Sequence, residues 1–267
     1  MEAAVSPQAV AQPGSLQPFE APAGLRPAHP RHGLHLVQRE PNRDAILAHE
    51  VLPRERSELA SRVLNVIVAA IGLVLTAPIM LVVALLIRVT SKGPALYSQT
   101  RVGVDRRYRH KNADNRRVHD QGGAPFKMYK FRSMVVDAEK DGRAVWAKKQ
   151  DARVTPIGGV LRKTRLDELP QLYNVLRGDM NIVGPRPERP TIFAELRETI
   201  PQYPMRQRVK PGITGWAQVN QSYDSCIDDV RRKVSYDLEY VRRQSMFEDL
   251  RIMSMTIPVM LLRRGGW

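Results

Sequence analysis

The sequence has little cysteine and no recognisable metal-binding spacing. Its single cysteine, Cys226, excludes an intramolecular disulfide framework and is typical of a reducing compartment. The six histidines are scattered and no CxxC or HExxH pattern occurs, so a zinc site is not expected. No apolar core lies near the N-terminus, so the sequence does not predict a secretory signal.

Acidic residues are scarce relative to basic ones. The 267 residues include 27 Asp and Glu against 42 Lys and Arg, which gives a formal net charge of +15 at neutral pH. So large a positive charge predicts an anionic partner. Nucleic acid, anionic lipid and a phosphorylated substrate all fit that description, and composition does not choose among them.

Residues 1–53 lack a sustained apolar period and are rich in Pro, Ala, Gly and Gln. Such a segment buries too little apolar surface to offset the entropy of ordering the chain, so a disordered tail is predicted. The remaining residues, 54–267, are numerous enough for one domain with a sizeable core.

Residues 63–89 are apolar apart from Asn65, Thr76 and Arg88. As a helix this run would be about 40 Å long, more than the roughly 30 Å of a bilayer core, so it is predicted to enter a membrane. Pro78 lies near its centre and frees a backbone group that lipid cannot satisfy. Thr76 is a candidate partner for that group.

Basic residues flank the apolar run on both sides, and basic flanks favour the cytoplasmic side of a membrane. They are Arg54, Arg56 and Arg62 before it and Lys92, Arg101, Arg106 and Arg107 after it. Two cytoplasmic ends and a membrane break at Pro78 together predict a re-entrant helix that enters and leaves on one face. A spanning helix kinked at Pro78 stays open as the alternative.

Residues 162–187, RKTRLDELPQLYNVLRGDMNIVGPRP, place the adjacent carboxylates Asp167 and Glu168 among several cations. A helix that starts at Asp167 keeps Pro170 in its first turn, so Asp167 is predicted to be the N-cap. The bland alternative is a cap with solvated ion pairs around it. More cations are present than one cap needs, and they keep a carboxylate ionised and hence nucleophilic or metal-binding. These cations are Arg162, Lys163, Arg165 and Arg186.

Residues 126–134, FKMYKFRSM, alternate apolar and basic side chains much as a half-buried strand does. Lys130 and Arg132 either face a phosphate or solvate the edge of a sheet, and the pattern does not decide between the two. Near the C-terminus, residues 246–264 combine apolar residues with few charges, which predicts an interfacial helix.

The segments KFRSM, LDELPQLYNVLRGDMNIVGPRP and VKPGITGWAQVN resemble, in this order, the bacterial sugar transferase family of monotopic polyprenyl-phosphate phosphoglycosyl transferases. The resemblance covers residues 59–267. It implies a mainly helical α/β fold, in which a re-entrant membrane helix (63–89) precedes a compact cytosolic catalytic part (90–267) with short strands and interfacial amphipathic helices. The basic loop at 105–123 looks longer than the family usually carries, and no role is assigned to it.

The resemblance also implies an activity. Such enzymes transfer a sugar 1-phosphate from a UDP-sugar to undecaprenyl phosphate, a polyprenyl phosphate, and release UMP. They use Mg²⁺ and a covalent phosphosugar on the first acidic residue of the pair. Carried over, Asp167 would be the nucleophile, and Glu168 with Asp167 would hold the metal. The implied phosphate-binding residues are Arg162 and Arg186, and Pro185, Arg186 and Pro187 would line the nucleotide site. Lys130 and Arg132 are further candidates from the strand pattern alone.

The expected location is the cytoplasmic face of the bacterial inner membrane, with UDP-sugar, undecaprenyl phosphate and membrane lipid as partners. Residues 240–267 resemble members that start exopolysaccharide repeat units. Two rivals stay open: a membrane-tethered nucleic-acid-binding protein, which the acidic pair disfavours, and an inactive membrane anchor or scaffold. Nucleic acid is therefore not expected as a partner, whereas the identity of the sugar and a homodimeric assembly stay open.

Overall fold

The apolar run forms the first helix of the computed structural model, which describes residues 50–107, 122–136, 138, 151–221 and 226–261. Its helices are α1 (Glu58–Thr90), α2 (Pro156–Thr164), α3 (Gln171–Arg177), α4 (Pro190–Thr199), α5 (Trp216–Asn220), α6 (Ile227–Arg243) and α7 (Met246–Leu261). Its strands are β1 (Leu96–Val102), β2 (Pro125–Phe131), β3 (Asn181–Val183) and β4 (Gly212–Thr214). Short 3-10 turns lie at Leu166–Glu168 and Tyr203–Arg208. The predicted mainly helical α/β class with short strands is confirmed.

The strands form two small sheets. β1 and β2 pair antiparallel, with Leu96 opposite Phe131, while β3 and β4 pair in parallel. In the second sheet a Cβ on Gly212 would lie 2.1 Å from the backbone nitrogen of Gly184, so the two backbones meet where no side chain fits. The glycines of VKPGITGW therefore serve the approach of one chain segment to another.

Helix α6 supplies much of the core. Its apolar stripe is fully buried, as its spacing predicts, and consists of Val230, Val234, Leu238 and Val241. The stripe packs in one cluster with α4, α5, α7 and the strands β3 and β2. The predicted helix at 246–264 is observed as α7 up to residue 261, and Phe247, 86% exposed, lies on its outer side.

Helix α1 is longer than predicted and is continuous through Pro78. It is long and apolar enough to cross a membrane. Its buried residues are Asn65, Ala69, Val83 and Ile87. The second pair follows the first after 18 residues, or five helical turns, so all four lie on one face. Both ends of α1 thus pack against the rest of the described chain, whereas Val74 and Leu75 between them are each 74% exposed.

Thr76 does not satisfy the backbone group that Pro78 frees. That group is the carbonyl of Val74, four residues before the proline. The Thr76 hydroxyl instead donates to the carbonyl of Gly72 at 2.7 Å. The expectation for Thr76 is therefore wrong, although a Thr bonded back to its own helix also favours bending.

The packed part of the chain begins earlier than the predicted tail boundary at residue 53. Residues 1–49 lie outside the described ranges, as do residues 108–121 of the basic loop. Val51, however, is 1% exposed and belongs to the main core cluster, and its carbonyl accepts from Arg208. The boundary moves to residue 50 or before, because Val51 is a core residue.

Candidate active site

The acidic pair lies on a 3-10 turn between two helices. Helix α2 ends at Thr164, and Arg165 follows in the left-handed region with φ 57° and ψ 15°. A non-glycine residue in this region is uncommon and costs about 1–3 kcal/mol, so the surrounding fold must hold it there. Arg165 turns the chain so that Asp167 and Glu168 enter the site side by side.

The prediction that Asp167 caps a helix is wrong. The N-cap position of α3 is Pro170, and no side chain caps this helix. The backbone instead closes the 3-10 turn, in which the nitrogen of Leu169 donates to the carbonyl of Leu166 at 3.3 Å. Local propensity favoured a cap, but the turn after Arg165 leaves the Asp167 carboxylate available for other partners.

Glu168 is held by cations from two other parts of the chain. Lys130 on β2 donates to its Oε1 at 2.9 Å, and Arg186 donates to the same oxygen. The second oxygen, Oε2, has longer contacts, 3.4 Å to Arg186 and 3.9 Å to Arg165. Glu168 is only 8% exposed, so these are largely desolvated ion pairs.

Asp167 is also buried, at 7% exposed, but it has a different environment. Among the residues that the structure describes, no side chain or backbone group donates a hydrogen bond to its carboxylate. The charges nearest in effect are Lys130, Glu168 and Arg186, with Arg162 on α2 contributing more weakly. The carboxylate of Glu168 is therefore bound by cations of the protein, whereas the carboxylate of Asp167 is available to contact a ligand.

The two carboxyl groups have pKa values displaced in opposite directions. Burial raises the pKa of Asp167, and the negative charge of Glu168 adds to this against the opposing effects of Lys130 and Arg186. Burial would also raise the pKa of Glu168, but Arg186 and Lys130 more than offset it and bring that pKa well below its usual range. The sequence predicted that nearby cations would lower the pKa of Asp167, and this is wrong because burial has the larger effect.

Asn174 on α3 fixes the position of β2 beside the acidic pair. Its side chain accepts from the backbone nitrogen of Tyr129 at 3.0 Å and donates to the carbonyl of Lys127 at 2.7 Å. These two hydrogen bonds hold β2 beside α3, and Lys130 on this strand contacts Glu168. Lys130 therefore lies beside the acidic pair, whereas phosphate binding by Lys130 stays a prediction.

Arg132, on the same segment, lies elsewhere. Its guanidinium donates to the carbonyls of Lys92 at 2.7 Å and Ser91 at 2.9 Å, just past the end of α1. It is 6% exposed. These contacts anchor the end of α1, and phosphate binding by Arg132 stays a prediction.

The segment Gly184–Pro187 is fixed through its backbone. The carbonyl of Pro185 accepts from Gly212, and the carbonyl of Pro187 accepts from Arg101 at 3.1 Å. Both prolines are buried, whereas Arg186 is half-buried and reaches Glu168. The structure thereby brings together Asp167, Glu168, Lys130 and Arg186.

Arg206 and Asp237 support this segment, and the sequence reading missed both. Arg206 is fully buried and donates to Asp237 through two nitrogens at 2.9 and 2.6 Å. The second of these nitrogens, Nη2, also donates to the carbonyl of Arg186 at 3.0 Å. The one signal in the sequence is Asp237 within the buried stripe of α6, because a buried charge needs a partner.

A magnesium ion would find suitable ligands here, although no cluster of three acidic, histidine or cysteine side chains occurs in the described part of the chain. Mg²⁺ is commonly bound by one or two carboxylates together with substrate phosphates. The unpaired carboxylate of Asp167 and the loosely contacted Oε2 of Glu168 are such a pair. Two carboxylates are sufficient only if the substrate supplies further oxygens.

The described site agrees with a family comparison. The profile of the family described as bacterial sugar transferase matches residues 56–263, which include the acidic pair, β2 and Gly184–Pro187. The chain belongs to the bacterial sugar transferase family. The predicted resemblance is thereby confirmed.

Two of the relatives compared below carry transferase names, and a third is named for exopolysaccharide production. The chain is 39% identical over 216 residues to the UDP-N-acetylgalactosamine-undecaprenyl-phosphate N-acetylgalactosaminephosphotransferase of Aeromonas hydrophila, covering 81% of this chain and 47% of that protein. It is 39% identical over 213 residues to the UDP-glucose:undecaprenyl-phosphate glucose-1-phosphate transferase of Caulobacter vibrioides, covering 79% and 73%. Over 223 residues it is 33% identical to the exopolysaccharide production protein ExoY of Rhizobium meliloti, covering 78% and 88%.

The extent of these matches differs among bacterial sugar transferases. The chain spans 37% to 47% of the length of several relatives that it matches, so those proteins contain further sequence. Their names also differ in the sugar, which is glucose in one case and N-acetylgalactosamine in another. Family membership is therefore shown, whereas the sugar is not.

Proposed function

We propose that this chain transfers a sugar 1-phosphate from a UDP-sugar to undecaprenyl phosphate and that Asp167 forms a covalent phosphosugar on the way. The observation that carries the proposal is the contrast between a free, buried Asp167 and a neighbouring Glu168 that two cations hold. A nucleophile needs a lone pair that no hydrogen bond occupies. Within the described residues, the carboxylate of Asp167 accepts no hydrogen bond, so its oxygens can attack the phosphorus. The names of the relatives support the class of substrate.

In the proposed first step, a carboxylate oxygen of Asp167 attacks the sugar-bearing phosphorus of the UDP-sugar. The bond from that phosphorus to the bridging oxygen breaks, and UMP leaves with the bonding electron pair. In the second step, an oxygen of undecaprenyl phosphate attacks the same phosphorus. This forms a lipid diphosphate sugar and returns the Asp167 carboxylate, so both steps balance without a redox partner.

Arg186 and Lys130 would supply the positive charge that phosphoryl transfer requires. Both already contact Glu168, so their charges lie next to the place where the diphosphate would bind. Each charge-assisted hydrogen bond is worth about 1.5–3 kcal/mol, enough to orient a diphosphate. Arg162, whose charge acts on Asp167, is the proposed third phosphate-binding residue, and Pro185 and Pro187 would line the nucleotide site.

Asp167 and Glu168 would hold Mg²⁺ together with the diphosphate. The ion would draw charge from the phosphate oxygens and so make the phosphorus easier to attack. This chain's residues would position the sugar phosphate and keep water from the buried Asp167, and the charges of Lys130 and Arg186 would favour its ionised form against the effect of burial. Glu168→Gln should accordingly slow the reaction and raise the magnesium concentration that it needs.

The proposed location is the cytoplasmic face of the inner membrane, with α1 re-entrant. A helix that crossed the bilayer would have its ends on opposite sides, yet Asn65 and Ile87 both contact the same described part of the chain. Asn65 accepts from the backbone nitrogen of Ile182, and Ile87 packs with Phe131 and Leu161. This packing supports entry and exit on one face. Initiation of an exopolysaccharide repeat unit is the proposed role.

The test of the proposal is to incubate the enzyme with a UDP-sugar and Mg²⁺ in the absence of lipid acceptor and to map the added sugar phosphate by peptide mass spectrometry. Modification of Asp167, with one UMP released per enzyme, is expected. Asp167→Asn should bind the UDP-sugar but give neither product. Modification at another residue, or turnover by Asp167→Asn, would show the assignment to be wrong, and a panel of UDP-sugars in the same assay identifies the sugar.

A further inference from the structure

A cavity of about 750 Å³ lies beside the first turns of α1, and most of its charged side chains are basic. Helix α1 contributes Glu58, Ser61 and Arg62 to its wall. The cations that line it are Arg54, Arg56, Arg62, Arg106, Arg208 and Lys210, against the acids Glu55 and Glu58. A concave surface with this excess of positive charge concentrates anions.

The cavity is separate from the acidic pair. Arg62 donates to the carbonyls of Val175, at 2.6 Å, and Leu176 at the C-terminal end of α3, whereas Glu168 lies before the N-terminal end. The seven residues of α3 alone span about 10 Å. Similarly, Asn181 enters the cavity wall at the start of β3, and Arg186 follows the end of that strand.

Three of the cations have partners that account for them. Arg56 forms an ion pair with Asp249 at 2.8 Å, Arg62 holds the end of α3, and Arg208 contacts Glu50 at 3.3 Å. The other three are Arg54, Arg106 and Lys210. Within the described ranges, the side chains of these three make no hydrogen bond and no ion pair.

Asn181, a largely buried residue, contributes a polar side chain to the cavity wall. It is 6% exposed, and its backbone nitrogen donates to the carbonyl of Pro211 at 2.8 Å. Its side-chain amide has no hydrogen-bond partner among the described residues, although it lines the cavity. The amide is not among the buried side-chain atoms that lack a partner, so it is open to the cavity and can donate to an oxygen of a ligand there.

Electrostatic repulsion also points to an anion. Burial lowers the pKa of Lys210, and the positive charges of Arg62 and Arg106 lower it further. A negative charge between these groups would relieve that repulsion. The exposed apolar side chains of Leu59 and Val63 continue from this point along α1. With α1 in a membrane as proposed, the cavity would lie near the membrane surface.

We propose that this cavity is a second anion site that binds a phosphate group through Arg54, Lys210 and Asn181. The group arrives either on a membrane lipid or on a soluble phosphate compound, since the recognised chemistry is the same. This site is independent of the transfer reaction proposed for Asp167, and a failure of either proposal leaves the other standing.

The test measures how accessible Lys210 is to acetylation. The full chain in phosphatidylcholine nanodiscs is treated with a water-soluble acetylating ester, and each lysine is quantified by peptide mass spectrometry. Inorganic pyrophosphate in solution and phosphatidic acid in the bilayer are the two probes. At least one of them should reduce acetylation of Lys210 by about tenfold, the effect of one charge-assisted contact, while the exposed Lys92 does not change.

Variants distinguish a built site from general attraction. Asn181→Leu keeps a branched side chain of similar shape without the amide, and Arg54→Gln removes one charge. Each should raise the probe concentration for half-protection by about tenfold. The matched control is Arg231→Gln with Arg232→Gln, which removes two exposed charges of α6 and should change it less than about twofold.

Protection by pyrophosphate in pure phosphatidylcholine assigns the site to soluble phosphates, and protection by phosphatidic acid alone assigns it to lipid. A thermal unfolding curve confirms that each variant is folded. The absence of protection by either probe overturns the proposal. The proposal is also overturned if the α6 control variant raises the probe concentration for half-protection as much as the cavity variants do. The probe would then be attracted only by the net charge of the protein.

Discussion

Lys130 on β2 donates to Glu168 at 2.9 Å, and both side chains are largely withdrawn from solvent. Burial lowers the pKa of Lys130, whereas Glu168 opposes that change, so each charge depends on the other to stay buried. The acidic pair is therefore asymmetric. Cations favour the charged form of Glu168, whereas burial disfavours the charged form of Asp167.

Glu168→Gln should lower the free energy of unfolding by about 3–5 kcal/mol, because it leaves Lys130 and Arg186 near a neutral group. The pKa of Glu168 in the folded protein is well below its usual range. The contribution of Glu168 to the free energy of unfolding is therefore present above the ordinary carboxyl pKa and is lost as the pH falls through the pKa of the folded protein. Denaturant unfolding at several pH values measures this. Glu198→Gln, at an exposed acid, is the matched control and should change stability by less than about 1 kcal/mol.

Asp167→Asn should have the opposite effect on stability. The pKa of Asp167 is raised, chiefly by burial, so the folded state favours its neutral form. The stability that the protonated Asp167 contributes to the fold is fully present below the ordinary pKa of an Asp side chain. It is lost as the pH rises through the pKa of Asp167 in the folded protein. At neutral pH the Asp167→Asn variant should therefore unfold at a higher temperature than the unsubstituted protein, and this difference should vanish in acid. A lower unfolding temperature at neutral pH would contradict the burial that we describe.

Much of the site was predictable because its motifs are local in sequence. The positions of Asp167, Glu168 and Arg186 follow from one stretch of 26 residues, and the buried stripe of α6 follows from helical spacing. The left-handed Arg165 was not predictable, because nothing local favours that conformation over a cap at Asp167. Contacts between residues that are far apart in the sequence also could not be predicted from the spacing of residue types.

Lys130 and Arg132 illustrate that second limit. They lie two residues apart on one extended segment, so alternation places them on the same side, yet one contacts Glu168 and the other the end of α1. Strand β2 ends at Phe131, just before Arg132, and this explains the difference. The pairing of Arg206 with Asp237, 31 residues apart, likewise requires the tertiary fold.

Arg206 should act as a positioning residue for Arg186. Arg206→Met leaves Asp237 buried without its partner and should destabilise the fold by about 3–5 kcal/mol, whereas adding Asp237→Leu should restore most of that loss. The folded double variant still lacks the donor to the carbonyl of Arg186. Its KM for the UDP-sugar should therefore rise by about tenfold. An unchanged KM in the restored variant would limit Arg206 to a stabilising role.

The N-terminal boundary can be tested by two truncations. Removal of residues 1–49 should leave transferase activity and the unfolding temperature nearly unchanged, because the composition of this segment predicts few core contacts. Removal of residues 1–53 also takes away Val51, which is fully buried, and should lower stability by about 1–3 kcal/mol. Val51→Asp in the full chain is the matched control for that loss. Equal behaviour of the two truncations would mean that Val51 contributes nothing to the core.

The re-entrant arrangement of α1 predicts that both of its flanks are on the cytoplasmic side. Single cysteines introduced as Glu55→Cys and Lys92→Cys, in a chain whose exposed Cys226 is replaced by serine, should react with a membrane-impermeant maleimide only after the cytoplasmic side is opened. The physical reason is that Asn65 near one end and Ile87 near the other pack against one body of protein. A spanning helix would instead expose the Glu55 site to the reagent in intact cells. Labelling there without permeabilisation would contradict the re-entrant arrangement, and Lys92→Cys in the same cells reports whether the membrane stayed sealed.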